Sequence, residues 1–201
     1  MTNEDFEAEF LKSEWYKKVY HPVREQFNKI VLEPNTKNQE ENNSRHQLLW
    51  QWRYPLLERL PNNISWQLAS IDEGEFENLL IIRETYWEKT FGDKKTLADV
   101  ARAILDGVQD NGAGINIIQN IKRAIGTYPF AEKIICISIS LQPPFSIIEG
   151  NHRAVAFQLK KLEVGGNNHI PKEIILGVSS NMVISPWLNF ATDTPAGKII
   201  G

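Results

Sequence analysis

Residues Phe145 to Leu162 read FSIIEGNHRAVAFQLKKL, and the residue types able to do chemistry gather at the centre of this stretch. A short apolar run ends at Glu149, and Gly150 permits a backbone conformation that other residues resist. Asn151 suits a helix N-cap, and beyond it Val155, Leu159 and Leu162 fall on one helical face. The pattern predicts a strand, a tight turn and a helix. The first N–H groups of a helix lack acceptors and carry partial positive charge. His152 and Arg153 stand in that first turn, and a guanidinium offers a rigid fork for phosphate oxygens. Gly150, Asn151, His152 and Arg153 are therefore expected to bind phosphate or another anion. Glu149 would repel a phosphate unless it holds a substrate amine, a magnesium ion or Arg153 itself. The plainer alternative is a surface turn in which Arg153 pairs with a carboxylate and His152 caps the helix.

The run EGNHRAVAF resembles the (D/E)-G-x-H-R-x-x-A box of the ParB/sulfiredoxin superfold, whose members place nucleotide phosphates on this turn. The resemblance extends over about Ile64 to Val178, with the box as its specific part. It implies a small mixed-sheet core in which Gly150 to Arg153 hold the phosphates. Sulfiredoxins carry a catalytic cysteine where this chain has Asn151, which argues against sulfinic acid reduction. ParB proteins continue into a helix-turn-helix region for which this chain leaves no room. The branch it resembles best is that of the free serine kinases, in which an acidic residue ahead of a helix deprotonates a hydroxyl that attacks ATP. LLIIRETYWEKTFGDKKTLADVARAI offers that arrangement, with Glu84 best placed and Glu88 second. Glu149 stands where that branch has aspartate. The resemblance thus implies a kinase that uses ATP (or another nucleoside triphosphate) and Mg2+ on an amino-acid-like metabolite, with Glu84 and Glu149 catalytic. The alternative is a non-catalytic nucleotide-binding switch or interaction module.

The elements that must position these residues can be read along the chain. Leu11, Trp15 and Val19 share one face of a first helix. Pro22 can open a second, with Val23, Phe27, Ile30 and Val31 inward. The stretch 34–45 has no apolar residue and is expected to be a solvated loop. A helical pattern resumes with Leu49, Trp52, Leu56 and Leu60, kinked or split at Pro55. Its tryptophans are expected in the core, rather than in a ligand slot. Trp66 to Ile71 reads as a strand, while Leu79 to Ile82 fits strand or helix equally. Thr96 caps a helix with Leu97, Val100, Ala101, Ile104 and Leu105 inward, stopped by Gly107. Ile117, Ile118, Ile121 and Ile125 form another helix, ended by Gly126. Ile134 to Ser140, Phe145 to Ile148 and Glu173 to Val178 are strands. The fold class is α/β (α+β): an N-terminal helical extension over 1–62 and a nucleotide-binding core over 64–201.

Composition limits the function classes. An apolar share of 42% against 23% charged is that of a soluble globular protein. No apolar run reaches the ~18–20 residues of a membrane span. The acidic start MTNEDFEAEF does not resemble a secretory signal, and the single Cys136 in an apolar run reads as a buried hydrophobe. A cytoplasmic setting is expected. The net charge of −3, with scattered basic residues, weighs against nucleic acid as partner and leaves a small phosphorylated ligand open. The four histidines show no metal-ligand spacing, and GAG at 112–114 reads as a turn.

Overall fold

The computed structural model describes residues 1–127, 133–165 and 170–189. His169 and the last part of the expected core, 190–201, lie outside the described residues. Helices α1 (Asn3–Glu14), α2 (Arg24–Leu32) and α3 (Gln39–Leu57) come first, then strand β1 (Ser65–Ser70). Helices α4 (Glu73–Glu77), α5 (Thr85–Phe91), α6 (Leu97–Leu105) and α7 (Ile115–Ala124) follow. The chain then runs through β2 (Ile134–Ser138), β3 (Ser146–Glu149), α8 (Asn151–Val164) and β4 (Glu173–Val178). The strands form one mixed sheet in the order β1-β4-β2-β3. β2 and β4 are parallel, joined through β3 and α8, while both outer pairings are antiparallel.

Successive residues of a strand face opposite sides of a sheet, and here both sides are covered. Ile134, Cys136, Ile147, Ile174 and Leu176 enter a core shared with α5 to α8. Ile135, Ile137, Ile148 and Ile175 enter a second core with Phe10, Leu11, Leu49 and other residues of α1 to α3. The class is mixed α and β, as expected, and every residue of β2 is buried because both faces are packed. Segment 1–62 forms the second helical layer. Cys136 is fully buried, and burial pushes its thiol pKa up.

Four sequence expectations need correction. The stretch 34–45 is not a solvated loop: α3 starts within it, capped by Asn38 Oδ1 accepting from the amides of Glu40 and Glu41. Arg45 is 1% exposed, donating to the carbonyls of Ile30 at 2.9 Å and Asn35 at 3.2 Å, so polar residues here satisfy one another internally. The first helix stops at Glu14, and Val19 is exposed in a 3-10 turn (Lys18–Val23) that contains Pro22. α3 is not split at Pro55 and ends at Leu57, which leaves the expected Leu60 outside it. Leu105 is 48% exposed, at the outer end of an otherwise buried helix face. Leu79 to Ile82 proves extended. Leu80 donates to Phe145 O and accepts from Ile147 N, carrying the sheet beyond β3.

The second layer is anchored by a ring pile. Trp66 of β1 lies over Gly177 of β4, and Phe6 of α1 stacks on Trp66 with centroids 3.7 Å apart. A Cβ at Gly177 would sit 2.3 Å from Trp66 Cζ3. Gly177→Ala is therefore expected to displace the indole and destabilise the fold by about 1–3 kcal/mol, the usual scale of overpacking. Urea unfolding gives the magnitude, and a changed near-ultraviolet dichroism of the tryptophan band reports the shifted ring.

Candidate functional site

Gly150 makes the turn between β3 and α8. Its φ of +94° is a region that side chains avoid. A Cβ there would also lie 3.1 Å from Arg153 Nη2. Gly150, rather than the expected Asn151, is the N-cap of α8, and no side chain caps the helix. In an uncapped first turn the leading amides have no helical acceptor, and here the turn contains no acidic residue. Asn151 has a different task. Its Oδ1 accepts the Ile82 amide at 2.9 Å, which pins the chain two residues ahead of Glu84 to the start of α8.

Those two segments line one cavity of about 700 Å³. Glu149, Gly150, Asn151, His152 and Arg153 form one wall, and Glu84 and Trp87 stand beside them. Ile117 and Ile121 of α7 add an apolar side. The remaining wall comes from Ser13, Glu14 and Lys17 at the end of α1 and from Trp52, Arg53 and Leu56 of α3, with Trp187 nearby. Trp52 is 44% exposed and lines the cavity, so the α3 tryptophans do not all fill the core as expected. Glu84 has no ion pair among the described residues. Glu88 pairs with Arg83 at 3.4 Å on the surface and does not line the cavity, so Glu84 is the better placed of the two.

His152 is committed locally. Its Nε2 lies 2.8 Å from Ala113 O, and a carbonyl only accepts, so Nε2 carries the proton and Nδ1 does not. Burial holds its pKa below the ordinary value, which keeps the ring neutral at pH 7. The Ala113 carbonyl is presented by the turn before α7, where Asp110 accepts from the amides of Gly112, Gly114 and Ile115. His152 thus contributes a neutral imidazole that ties α8 to α7. Arg153 is largely buried; its Nη2 donates to Ser13 Oγ at 2.6 Å and to Lys133 O at 3.3 Å, and stands 3.6 Å from Glu149. It is on the cavity wall and paired with a carboxylate, as the plainer alternative expected of Arg153, whereas His152 does not cap the helix.

Sequence reasoning missed the α1 and α3 contribution. Glu14 is 1% exposed and receives Arg53 Nε at 2.7 Å, Arg53 Nη2, and Lys17 Nζ at 2.5 Å. Glu149 accepts from Ser13 Oγ at 2.7 Å and lies 3.9 Å from Lys17. Burial, and then the charge of Glu149, push the Glu14 carboxyl up to about 7. Burial acts the same way on Glu149, but Lys17, a hydrogen bond from Glu14, Arg153 and Ser13 outweigh it and hold that carboxyl at about 2. Glu149 therefore stays ionised, and Glu14 gives up its proton as pH rises through about 7. The detectable signal was spacing: Glu14 follows Phe10 by four residues, on the buried face of α1.

No family model, curated protein or solved structure matches this chain. The resemblance to the ParB/sulfiredoxin box consequently rests on residues 149–157 alone. No helix among the described residues is long and apolar enough to cross a membrane. No group of three or more metal-ligating side chains forms among them either.

The carboxylate pair makes stability depend on pH in two opposed limbs. Glu14 titrates above its usual 4.5, so between about 4.5 and 7 the folded chain binds more protons than the unfolded one. In that window stability should fall as pH rises, by up to about 1.4 kcal/mol per unit. Glu149 titrates below 4.5, so its contribution is present above that pH and is lost as pH falls towards 2. Urea titrations across this range should show Glu14→Gln flattening the upper limb while the acid limb persists.

Proposed function

We propose that this protein is a nucleotide-dependent phosphotransferase acting on a small hydroxyl compound. The observation that carries the reading is convergence: Glu84 and the Gly150–Arg153 turn, more than sixty residues apart in sequence, line one cavity. On this reading the uncapped first turn of α8 receives the nucleotide phosphates through its amides, with Arg153 adding positive charge. Trp52, Trp87 and Trp187 offer flat apolar surface for a base or a substrate body. Glu84 accepts the proton of the acceptor hydroxyl as its oxygen attacks the γ-phosphorus. The bond from that phosphorus to the bridging oxygen breaks, and the diphosphate leaves.

Magnesium, where a nucleotide brings it, is bound mainly by phosphate oxygens and water and needs only one or two carboxylates. Glu149, ionised and next to the turn, is the residue that would meet it, and the ion would supply neutralisation of phosphate charge. Asn151 and His152 act as positioning residues, because their side chains are bonded to Ile82 and Ala113. One observation favours a second reading, a nucleotide-binding switch. Arg153 and Lys17 are already matched by Glu149 and Glu14, so ligand phosphate would have to exchange with internal carboxylates.

Two variants test the scheme. Glu84→Gln should retain nucleotide binding and lower turnover by roughly 10²–10⁴-fold. Wild-type turnover in that variant would remove Glu84 from the mechanism, and nucleotide binding without turnover across a metabolite panel would select the switch. Arg153→Ala should weaken ATP binding, measured by calorimetry, by about 1.5–3 kcal/mol, the scale of hydrogen bonds to charged groups. It should also lower the melting temperature, because Glu149 and Ser13 lose their buried partner. Unchanged ATP affinity would dismiss the phosphate role of the turn.

A further inference from the structure

Glu14 is too deeply buried to be approached freely, yet it holds two cations that are not. Arg53 uses Nε and Nη2 on one carboxylate oxygen of Glu14, and Lys17 reaches the other. The two side chains are 32% and 46% exposed and both line the cavity. Among the described residues Arg53 Nη1 has no partner, and the next contact of Lys17 is Glu149 at 3.9 Å. A guanidinium fixed along one edge by a buried carboxylate has its rotamer entropy already lost, so a new bond at Nη1 costs little further ordering. The ammonium beside it retains donors too.

We propose that Lys17 and Arg53, held by Glu14, form a clamp for the carboxylate of a small ligand with a mainly apolar body. Charge favours a monoanion. Above about pH 7, where Glu14 is ionised, two cations face one carboxylate and a single positive charge remains, while Arg153 and Glu149 cancel. A phosphate dianion would leave an excess negative charge beside Glu149. The apolar body follows from the neighbours: Trp52 and Leu56 flank Arg53 on α3, and Ile148 and Trp187 line the same space. Assigning this acid as the phosphoryl acceptor rests on the phosphotransferase reading. The clamp needs no nucleotide and can be tested without one.

The experiment is calorimetric titration of the nucleotide-free full chain with hydrocinnamate, with its amide, and with phenyl phosphate. The acid should bind at least about tenfold more tightly than the amide, the equivalent of one charged hydrogen bond, and more tightly than the phosphate ester. Arg53→Gln and the more exposed Lys17→Met should each remove that preference and leave amide binding unchanged. Equal affinity for acid and amide, no acid binding at millimolar concentration, or a preference that survives both substitutions would overturn the clamp. A tighter phenyl phosphate would overturn the carboxylate assignment. If the acid preference holds while ATP neither binds nor turns over, only the phosphotransferase reading falls. ATP turnover without acid preference removes the clamp alone.

Discussion

A carboxylate 1% exposed cannot remain where it is without compensation, and Glu14 is that carboxylate. Its demand for cations brings Lys17 back from the turn after α1 and draws Arg53 in from α3. Its proximity to Glu149 then fixes how the helical layer meets the end of β3, because two neighbouring buried carboxylates need a cation in common, and Lys17 reaches both. Arg153 closes the arrangement from α8 through Ser13. Three stretches distant in sequence, the end of α1, α3 and the β3–α8 turn, are held by one charge balance. Its members line the cavity.

The rest of the site is held by neutral bonds. Asn151 to the Ile82 amide and His152 to the Ala113 carbonyl attach the first turn of α8 to the segments that carry Glu84 and Ile117. Each uses a side chain on the helix start that would otherwise be available to a ligand. What remains for ligand contact is backbone and whatever the charged cluster leaves unspent. The cavity is therefore lined by the Gly150 turn and charged side chains together with indole and isoleucine. Such a division suits a ligand with an anionic end and an apolar body.

Much of this was legible in the sequence because it depends on local pattern. The strand–glycine–helix turn at Gly150 follows from residue types within a dozen positions, as do the Thr96 cap and the β-branched strands. What failed depends on distant partners. Residues 34–45 look unstructured only if polar groups must meet water, whereas Arg45 spends its donors on the carbonyls of Ile30 and Asn35. Asn151 looks like a cap until a backbone amide sixty-nine residues away claims its oxygen. Glu14 and Arg53 carry no motif at all. Only their meeting across two helices makes them a site, and no periodicity encodes a meeting.

The ring pile of Phe6 on Trp66 over Gly177 works as a spacer. Its thickness sets how far α1 stands from the sheet, and α1 carries Ser13 and Glu14, with Lys17 just beyond it, into the cavity. The gape of the cavity is therefore dimensioned at the opposite end of that helix, by residues that never meet a ligand.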